Sequence, residues 1–502
     1  MKLKIRMYDV LAIEPRAIIH SDDAVEIGVK EGERVLLGGR KPMVVLLNKS
    51  DSIVERGQVL LTKKVMDKIG SLEGEEINVT FSPIPESVKG IRKKMDGLEL
   101  TKDEIDAIVR DILESKLSNI EVSAWLTSLY INGMNIDEIA HFTNSMIDTG
   151  ERIHFERTPV FDFHSIGGVP GNKVTPIVVS IVAAAGLMLP KTSSRAISSA
   201  CGTSDFVETF CNIEMDAEKL KEIAEKVGGV LAWGGSMNIA PVDDMVISIE
   251  NPLGINPRAQ MLASIMSKKL AIGATHLLMD IPTGPGTKVP TIEMARSYVR
   301  DFMELGEKLG VHVECAITYG DQPVGSAIGP ILEAKECIRI LEGSRHPASV
   351  VEKACELAGI ILEMGGIPHG TEEARRILDS GEALKKFREI VAAQGGDPNI
   401  TADDLKDGQY KLQVLSTVSG YVHSINNKDL VHIARAAGAP TDKGAGLLLF
   451  KKKGQRVETG DVLLEVYADV ESKCQRARDL SVKLQPIDIE GMLIEKVGRN
   501  IR

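Results

Sequence analysis

Between residues 160 and 205 a short apolar run, an elbow rich in glycine or serine, and a helical run follow one another twice, about thirty residues apart. The first elbow reads Phe161-Asp162-Phe163-His164-Ser165-Ile166-Gly167-Gly168-Val169-Pro170-Gly171-Asn172-Lys173-Val174. The second reads Lys191-Thr192-Ser193-Ser194-Arg195-Ala196-Ile197-Ser198-Ser199-Ala200-Cys201-Gly202-Thr203-Ser204-Asp205. This order predicts two βα units in which backbone amides and hydroxyls converge on a helix N-terminus. Unpaired amides and the helix dipole both favour negative charge there. Side by side, the elbows predict a substrate pair with more than one phosphate; taken singly, each is equally a tight turn closing a βα unit.

A chain of 502 residues is too long for one core, and about three or four domains are expected. Its formal net charge of −11 argues against a nucleic-acid partner bound through a broad basic surface. With only two Trp, material for base-stacking platforms is also scarce. The start, Met1-Lys2-Leu3-Lys4-Ile5-Arg6, lacks the apolar core of a signal peptide, and no stretch approaches the roughly 18 apolar residues of a membrane span. The six cysteines (Cys201, Cys211, Cys315, Cys337, Cys355 and Cys474) form no C-x-x-C pair. They read as reduced packing residues of a cytoplasmic protein, not as a metal site or a disulfide frame.

The expected fold is α/β with added modules. Residues 1–84 alternate short apolar runs (Ala24–Ile27, Arg34–Leu37, Val44–Leu47, Ile77–Phe81) with Gly, Asp and Asn, the pattern of a β-barrel-like domain that ends at Ser82-Pro83-Ile84-Pro85. Residues 85–155, with part of the following region, read as a small helical domain. Its helices open on Thr101 with Glu104, Ser118 with Glu121, and Asn135 with Glu138, the spacing of capping boxes. From 156 to 410 strand-like runs alternate with helical ones, predicting an α/β domain with a largely parallel sheet that binds ligand beyond the strands' carboxyl ends. Residues 411–502 return to short strands in a small β-rich (α+β) domain. Within it Gly454 to Leu463 resembles a hammerhead-like β-fold without a carrier lysine. Lacking clustered catalytic groups, this domain is expected to serve assembly more than chemistry, so that deleting it gives a smaller particle that still binds its ligand.

In order and separation the elbows resemble those of the nucleoside phosphorylase family that includes the thymidine and pyrimidine-nucleoside phosphorylases. The second is also similar to the corresponding loop of anthranilate phosphoribosyltransferases. Phe163 stands where the pyrimidine enzymes have a lysine, the stretch Ser194 to Ser199 replaces a glycine-rich segment, and the first 82 residues are additional. With Asn238 to Asp244, Ser264 to Lys269 and Asp280 to Val289, these features resemble the archaeal branch of the family, the AMP phosphorylases. The resemblance implies phosphorolysis of a nucleoside 5′-monophosphate: AMP and phosphate give adenine and ribose 1,5-bisphosphate. Base preference among AMP, CMP and UMP is open.

It also implies site residues. Gly168, Ser194, Arg195, Ala196, Ile197, Ser198, Ser199 and Thr203 would line the nucleotide, with Ser264 and Lys288 as further contacts. Small residues permit close backbone approach, hydroxyls donate to phosphate, and Arg195 offers a two-pronged fork, the alternative being a surface ion pair. Lys288 would serve a second phosphate as a point charge. Lys268, next to Lys269, is equally a base contact or a solvated side chain, and His164 equally an acid near the base or a structural histidine. Position 256 is the proton donor to the leaving base in this branch and is an aspartic acid there; here it is Asn256, which can hydrogen-bond but not release a proton. Weak activity follows. The asparagine reads either as a deliberate isosteric disablement, which its intact surroundings favour, or as natural divergence.

No cofactor and no metal is expected, phosphate being a co-substrate; the partners are AMP and other nucleoside monophosphates, with no nucleic acid and no membrane. The resemblance implies a homodimer that assembles into larger homo-oligomers. Two rival readings stand beside it. One is a Mg²⁺-dependent phosphoribosyltransferase using Asp243-Asp244 as its metal pair. The other is a nucleotide-binding protein without catalysis.

Overall fold

The computed structural model describes residues 1–9, 15–196 and 199–492. It divides into two units, Met1–Glu151 with Ile239–Lys268, and Arg152–Asn238 with Lys269–Arg502.

In the first unit six strands close a barrel: β1 (Lys2–Met7), β2 (Arg16–Ile19), β3 (Arg34–Gly38), β4 (Met43–Lys49), β5 (Gln58–Leu61) and β6 (Glu76–Phe81). Their order is β1-β5-β2-β4-β3-β6, and β6 returns to pair with β1, so no edge is left open. Alternate residues point inward, placing Leu3, Ile5, Val35, Leu37, Ile77 and Val79 in one core. The run Ala24–Ile27, expected as strand, is instead the end of helix α1 (Ser21–Ile27). His20 caps it through Nδ1, Asp22 and Asp23 sit in its first turn, and left-handed Gly28 ends it, which is helix chemistry. A second short helix, α2 (Lys63–Ile69), follows β5.

Four helices come next: α3 (Ser87–Met95), α4 (Lys102–Leu113), α5 (Asn119–Asn132) and α6 (Ile136–Asp148). All three expected capping boxes are formed, Thr101 with Glu104, Ser118 with Glu121 and Asn135 with Glu138. Arg34 of the barrel pairs with Glu121 and donates to the Lys116 carbonyl at 2.8 Å, tying barrel to bundle within this unit.

The second unit is built on parallel strands β7 (Phe161–Ser165), β8 (Leu189–Ser193), β9 (Gly229–Trp233), β10 (His276–Thr283) and β11 (His312–Tyr319). Among the described residues β11-β10-β7 form one parallel sheet and β8-β9 another. Just before β7 and β8, Val160 and Met188 are bridged, and the Phe161 N–H donates to the Met188 carbonyl at 2.9 Å. Past that point β7 and β8 are not paired with each other. The sheet is therefore split toward the carboxyl ends of the two strands that feed the elbows, the place where α/β sheets admit ligands.

Helix α7 (Thr175–Ala184) follows the first elbow and is buried over almost its whole length, α8 (Thr203–Val207) follows the second, and α9 (Ala217–Val227) leads into β9. Next come α10 (Pro241–Leu253), which packs on α4 and α5 in the first unit, and α11 (Arg258–Ala271). After β10 the chain continues through α12 (Ile292–Leu309), then past β11 to β12 (Ala327–Ile328), α13 (Pro330–Leu341), α14 (Ala348–Met364), α15 (Gly370–Asp379) and α16 (Glu382–Ala393).

The C-terminal module comprises β13 (Tyr410–Leu415), β14 (Gly420–Ile425), α17 (Asn427–Ala437), β15 (Gly446–Leu449), β16 (Arg456–Val457), β17 (Val462–Ala468), α18 (Glu471–Leu484) and β18 (Ile487–Glu490). Its larger sheet has the order β12-β15-β17-β13, so a strand of the α/β region is paired inside it. Its smaller sheet is β16-β14-β18. Among the described residues no helix is long and apolar enough to cross a membrane.

Candidate active site

The first elbow leaves β7 through Ile166, whose N–H donates to the Asp280 carbonyl on β10 at 3.0 Å. Gly167 and Gly168 then take φ of +85° and +89°, left-handed values that a side chain disfavours. A Cβ on Gly168 would stand 2.6 Å from the Lys288 nitrogen, so this glycine lets the first elbow lie against a third loop, Thr283 to Lys288, which follows β10. Lys173, wholly buried, anchors the far side of the elbow through the Val324 carbonyl at 3.0 Å and Glu336 Oε2 at 2.6 Å. Helix α7 opens without a side-chain cap on Val174, so its first amides receive no side-chain cap.

The second elbow differs from expectation in three ways. Its backbone is folded onto an internal carboxylate: the N–H groups of Ala196 and Gly202 donate to Asp205 Oδ2 at 2.7 and 2.8 Å. The helix behind it, α8, spans only Thr203–Val207, too short to build a full macrodipole. Arg195 is the third. Its guanidinium pairs with Glu208 at 2.5 Å and Glu214 at 3.1 Å and lies 4.7 Å from the Trp233 ring, so the expected phosphate fork is here an ion-paired arginine. Ser194 and Ala196 precede the turn, Ser199 Oγ donates to the Cys201 carbonyl at 3.3 Å, and Thr203 opens α8. Ile197 and Ser198 lie outside the described residues.

Ser264, Lys268 and Asn256, with Asp243 and Asp244, belong to the first unit. Asp243, fully buried on α10, receives Gln260 Nε2 at 2.9 Å, Ser264 Oγ at 2.8 Å and Lys268 Nζ at 2.8 Å. Those three residues are spaced by four along α11, which puts them on one face. Lys268 reaches Asp244 as well, at 2.9 Å. Burial works against its charge, yet the two aspartates outweigh burial and hold the ammonium above the ordinary lysine range. Lys268 is thus engaged by both aspartates of the supposed acidic metal pair. Asn256, just ahead of α11, is exposed, with its amide nitrogen 3.9 Å from Met261 Sδ. His164 sits near the end of β7, half-buried and opposite Met279.

Charged residues inside strands carry much of the framework and were missed in the sequence. Asp280 on β10 accepts Thr318 Oγ1 at 2.5 Å and pairs with Lys353 at 2.8 Å. Asp162, Lys191 and Lys269 form a second buried cluster. The signal available was a lone charge in an otherwise apolar run, as in Leu278-Met279-Asp280-Ile281.

The C-terminal module reaches each loop's support. Asn427 Nδ2 donates to the Gly320 carbonyl at 2.9 Å, and the Gly320 N–H donates to Thr283 at 2.9 Å, at the root of the third loop. Arg435 donates to the Ser199 carbonyl at 3.1 Å, and Lys443 pairs with Glu208, the partner of Arg195. Lys452 donates to the carbonyls of Pro323 and Gly325 at 2.6 and 2.7 Å, where the Val324 N–H holds Pro170 of the first elbow at 3.1 Å.

Comparison with known proteins agrees with this architecture. Residues 88–150 match the glycosyl transferase family helical bundle domain, 157–384 the glycosyl transferase family a/b domain, and 421–488 the pyrimidine nucleoside phosphorylase C-terminal domain. The chain is 50% identical to AMP phosphorylase 1 of Archaeoglobus fulgidus over 96% of each chain. It is 48% identical to the AMP phosphorylase of Thermococcus kodakarensis over 99% of this chain and 100% of that one. In fold, anthranilate phosphoribosyltransferase from Thermus thermophilus superposes with a TM-score of 0.52 at 19% identity, covering 61% of this chain and 99% of that one. Identity of this order along the whole length settles kinship: the chain belongs to the AMP phosphorylase family.

Proposed function

We propose that this chain is a nucleoside 5′-monophosphate phosphorylase, a pentosyltransferase that converts AMP and phosphate to adenine and ribose 1,5-bisphosphate. The observation that carries the reading is the near-full-length identity to AMP phosphorylases, 50% and 48% in the two cases above. Phosphate attacks C1′ of the ribose as the base departs, through an oxocarbenium-like transition state, so holding anions in place is much of the catalysis. Gly168 brings backbone close to substrate, the hydroxyls of Ser194, Ser199, Thr203 and Ser264 line it, and Lys288 supplies a point charge. Arg195 on the second elbow, paired with Glu208 and Glu214, offers its guanidinium as a fork to a substrate phosphate.

The leaving purine needs a proton. Asn256 offers it a hydrogen bond only, so the unaltered chain is slow. No cofactor enters the scheme. The rival phosphoribosyltransferase reading needs Asp243 and Asp244 free for Mg²⁺, whereas Lys268 holds both. The chain works in the cytoplasm as a homodimer. Ile120, Tyr130 and Ile131, exposed on α5, give its helical module an apolar face, and larger homo-oligomers build on the dimer.

Calorimetry with AMP and adenosine, alongside an assay for adenine and sugar bisphosphate in EDTA, tests the reading. AMP should bind on the order of tenfold or more tighter than adenosine, from charge-assisted bonds to the 5′-phosphate. Equal affinities, or product formation that requires Mg²⁺, contradict it.

A further inference from the structure

Beneath the split between β7 and β8 lies a cluster that none of the roles above uses. Asp162 on β7, Lys191 on β8 and Lys269 on α11 are 1%, 5% and 3% exposed. Lys269 Nζ is 2.7 Å from Asp162 Oδ2, and Lys191 Nζ is 3.4 Å from Oδ1. Lys191 also donates to the carbonyls of Phe163 at 2.7 Å and Thr192 at 3.0 Å, and stands 5.0 Å from the Phe163 ring centroid. Lys269 donates to the Thr192 carbonyl at 3.3 Å. Those carbonyls belong to the two strands just where the ladder between them has stopped. Ammonium groups there take the place of main-chain N–H donors.

The charges do not balance: two ammoniums face one carboxylate. Burial pulls the Lys191 pKa well below the ordinary lysine range and the neighbouring Lys269 lowers it further, while Asp162 opposes both. An uncompensated buried cation is costly, and an anion seated above it removes part of that cost. The two strands that flank the cluster run directly into the two elbows.

We propose that Lys191 is an electrostatic positioning residue for the substrate phosphates: with Lys269 it keeps one ammonium in excess of carboxylate under the split, and this excess charge draws a dianion onto the elbows. The inference rests on the phosphorolysis reading for its substrate, but not for its test, which uses sulfate at a pH below about 7, where sulfate is still a dianion and Lys191, its pKa lowered to about 7, keeps its proton.

Calorimetry with sulfate, AMP and adenosine compares the unaltered chain, Lys191→Met, and Lys191→Met combined with Asp162→Asn. The single change cancels the excess charge and should weaken sulfate and AMP on the order of a hundredfold, the worth of one unit charge acting on a dianion roughly 10 Å away at an effective dielectric of about 20. Adenosine should be unaffected. Adding Asp162→Asn leaves Lys269 alone and restores the excess, so anion affinity should return. A merely structural lysine gives the opposite pattern: adenosine weakens with the anions and the second change rescues nothing, which overturns the proposal. Full sulfate affinity in Lys191→Met overturns it too. Should the single variant not fold, the double variant decides, since it must bind sulfate within a few-fold of the unaltered chain. An unaltered chain that binds sulfate but not AMP sinks the phosphorolysis reading and leaves the sulfate series to judge this one.

Discussion

Gly168 lies against Lys288 so closely that a Cβ on the glycine would stand 2.6 Å from the lysine's backbone nitrogen. Its neighbour Gly167 has almost the same φ, +85° against +89°, but nothing within 4 Å of its Cβ position. The pair separates backbone strain from loop contact. Gly167→Ala should cost only the strain of a left-handed alanine, about 1 kcal/mol, and leave AMP affinity nearly intact. Gly168→Ala should cost more in thermal unfolding and weaken AMP at least tenfold, because the first and third loops must part. Equal effects of the two changes on AMP binding would argue that the contact has no part in the site.

The C-terminal module, expected from sequence to serve assembly more than chemistry, is bonded to the supports of all three loops. Asn427 is 2% exposed and its amide holds Gly320. Asn427→Ala leaves that buried carbonyl unpaired, a loss of about 1–3 kcal/mol, and should raise the AMP dissociation constant without changing particle size by light scattering. Deleting residues 411–492 also strips β12 of its partner β15, so the truncated chain should bind AMP poorly. A truncated chain with full AMP affinity would return the module to assembly alone.

Glu333 gives stability a pH dependence of definite sign. Burial is the largest influence and, with Glu336 and Asp205, pushes its pKa up to about 7, against the pull of Lys173 and the Gly329 N–H. The folded chain therefore holds a proton that the unfolded chain has released. The stability this contributes is full below the unfolded value of 4.5 and is lost as pH rises through about 7. Glu333→Gln, which can still accept the Gly329 N–H, should remove that loss. Relative to the unaltered chain, its unfolding free energy should rise between about pH 5 and pH 8 by on the order of 3 kcal/mol at most. Parallel pH profiles would show that the carboxyl stays ionised.

What was legible in the sequence was local. Thr101 with Glu104, Ser118 with Glu121 and Asn135 with Glu138 opened helices as their spacing required, because a capping box is complete within four residues. The first elbow was legible for the same reason, as glycines that only a turn demands. Pairing between distant strands was not. The barrel order and the partnership of β12 with β15 rest on contacts far apart in sequence. Lys191-Thr192-Ser193-Ser194-Arg195 reads as the start of a phosphate-binding elbow, with no partner indicated for Lys191. In the structure, Lys191 is buried by Asp162 and Lys269, and Arg195 is held by Glu208 and Glu214. Which charges a loop meets depends on residues that sequence spacing does not reveal.

The most direct measurement concerns position 256. AMP turnover by the unaltered chain and by Asn256→Asp should be followed side by side, with AMP affinity measured for both. If the leaving base takes its proton here, the aspartic acid should raise turnover by on the order of 10²–10⁴, the usual worth of a positioned general acid. Affinity should change little, since the side chains are the same size and both can bond the base nitrogen. The gained rate should fall away at alkaline pH as the new carboxyl loses its proton. An unaltered chain that already turns over AMP as fast as Asn256→Asp contradicts the assignment and moves the proton donor to His164.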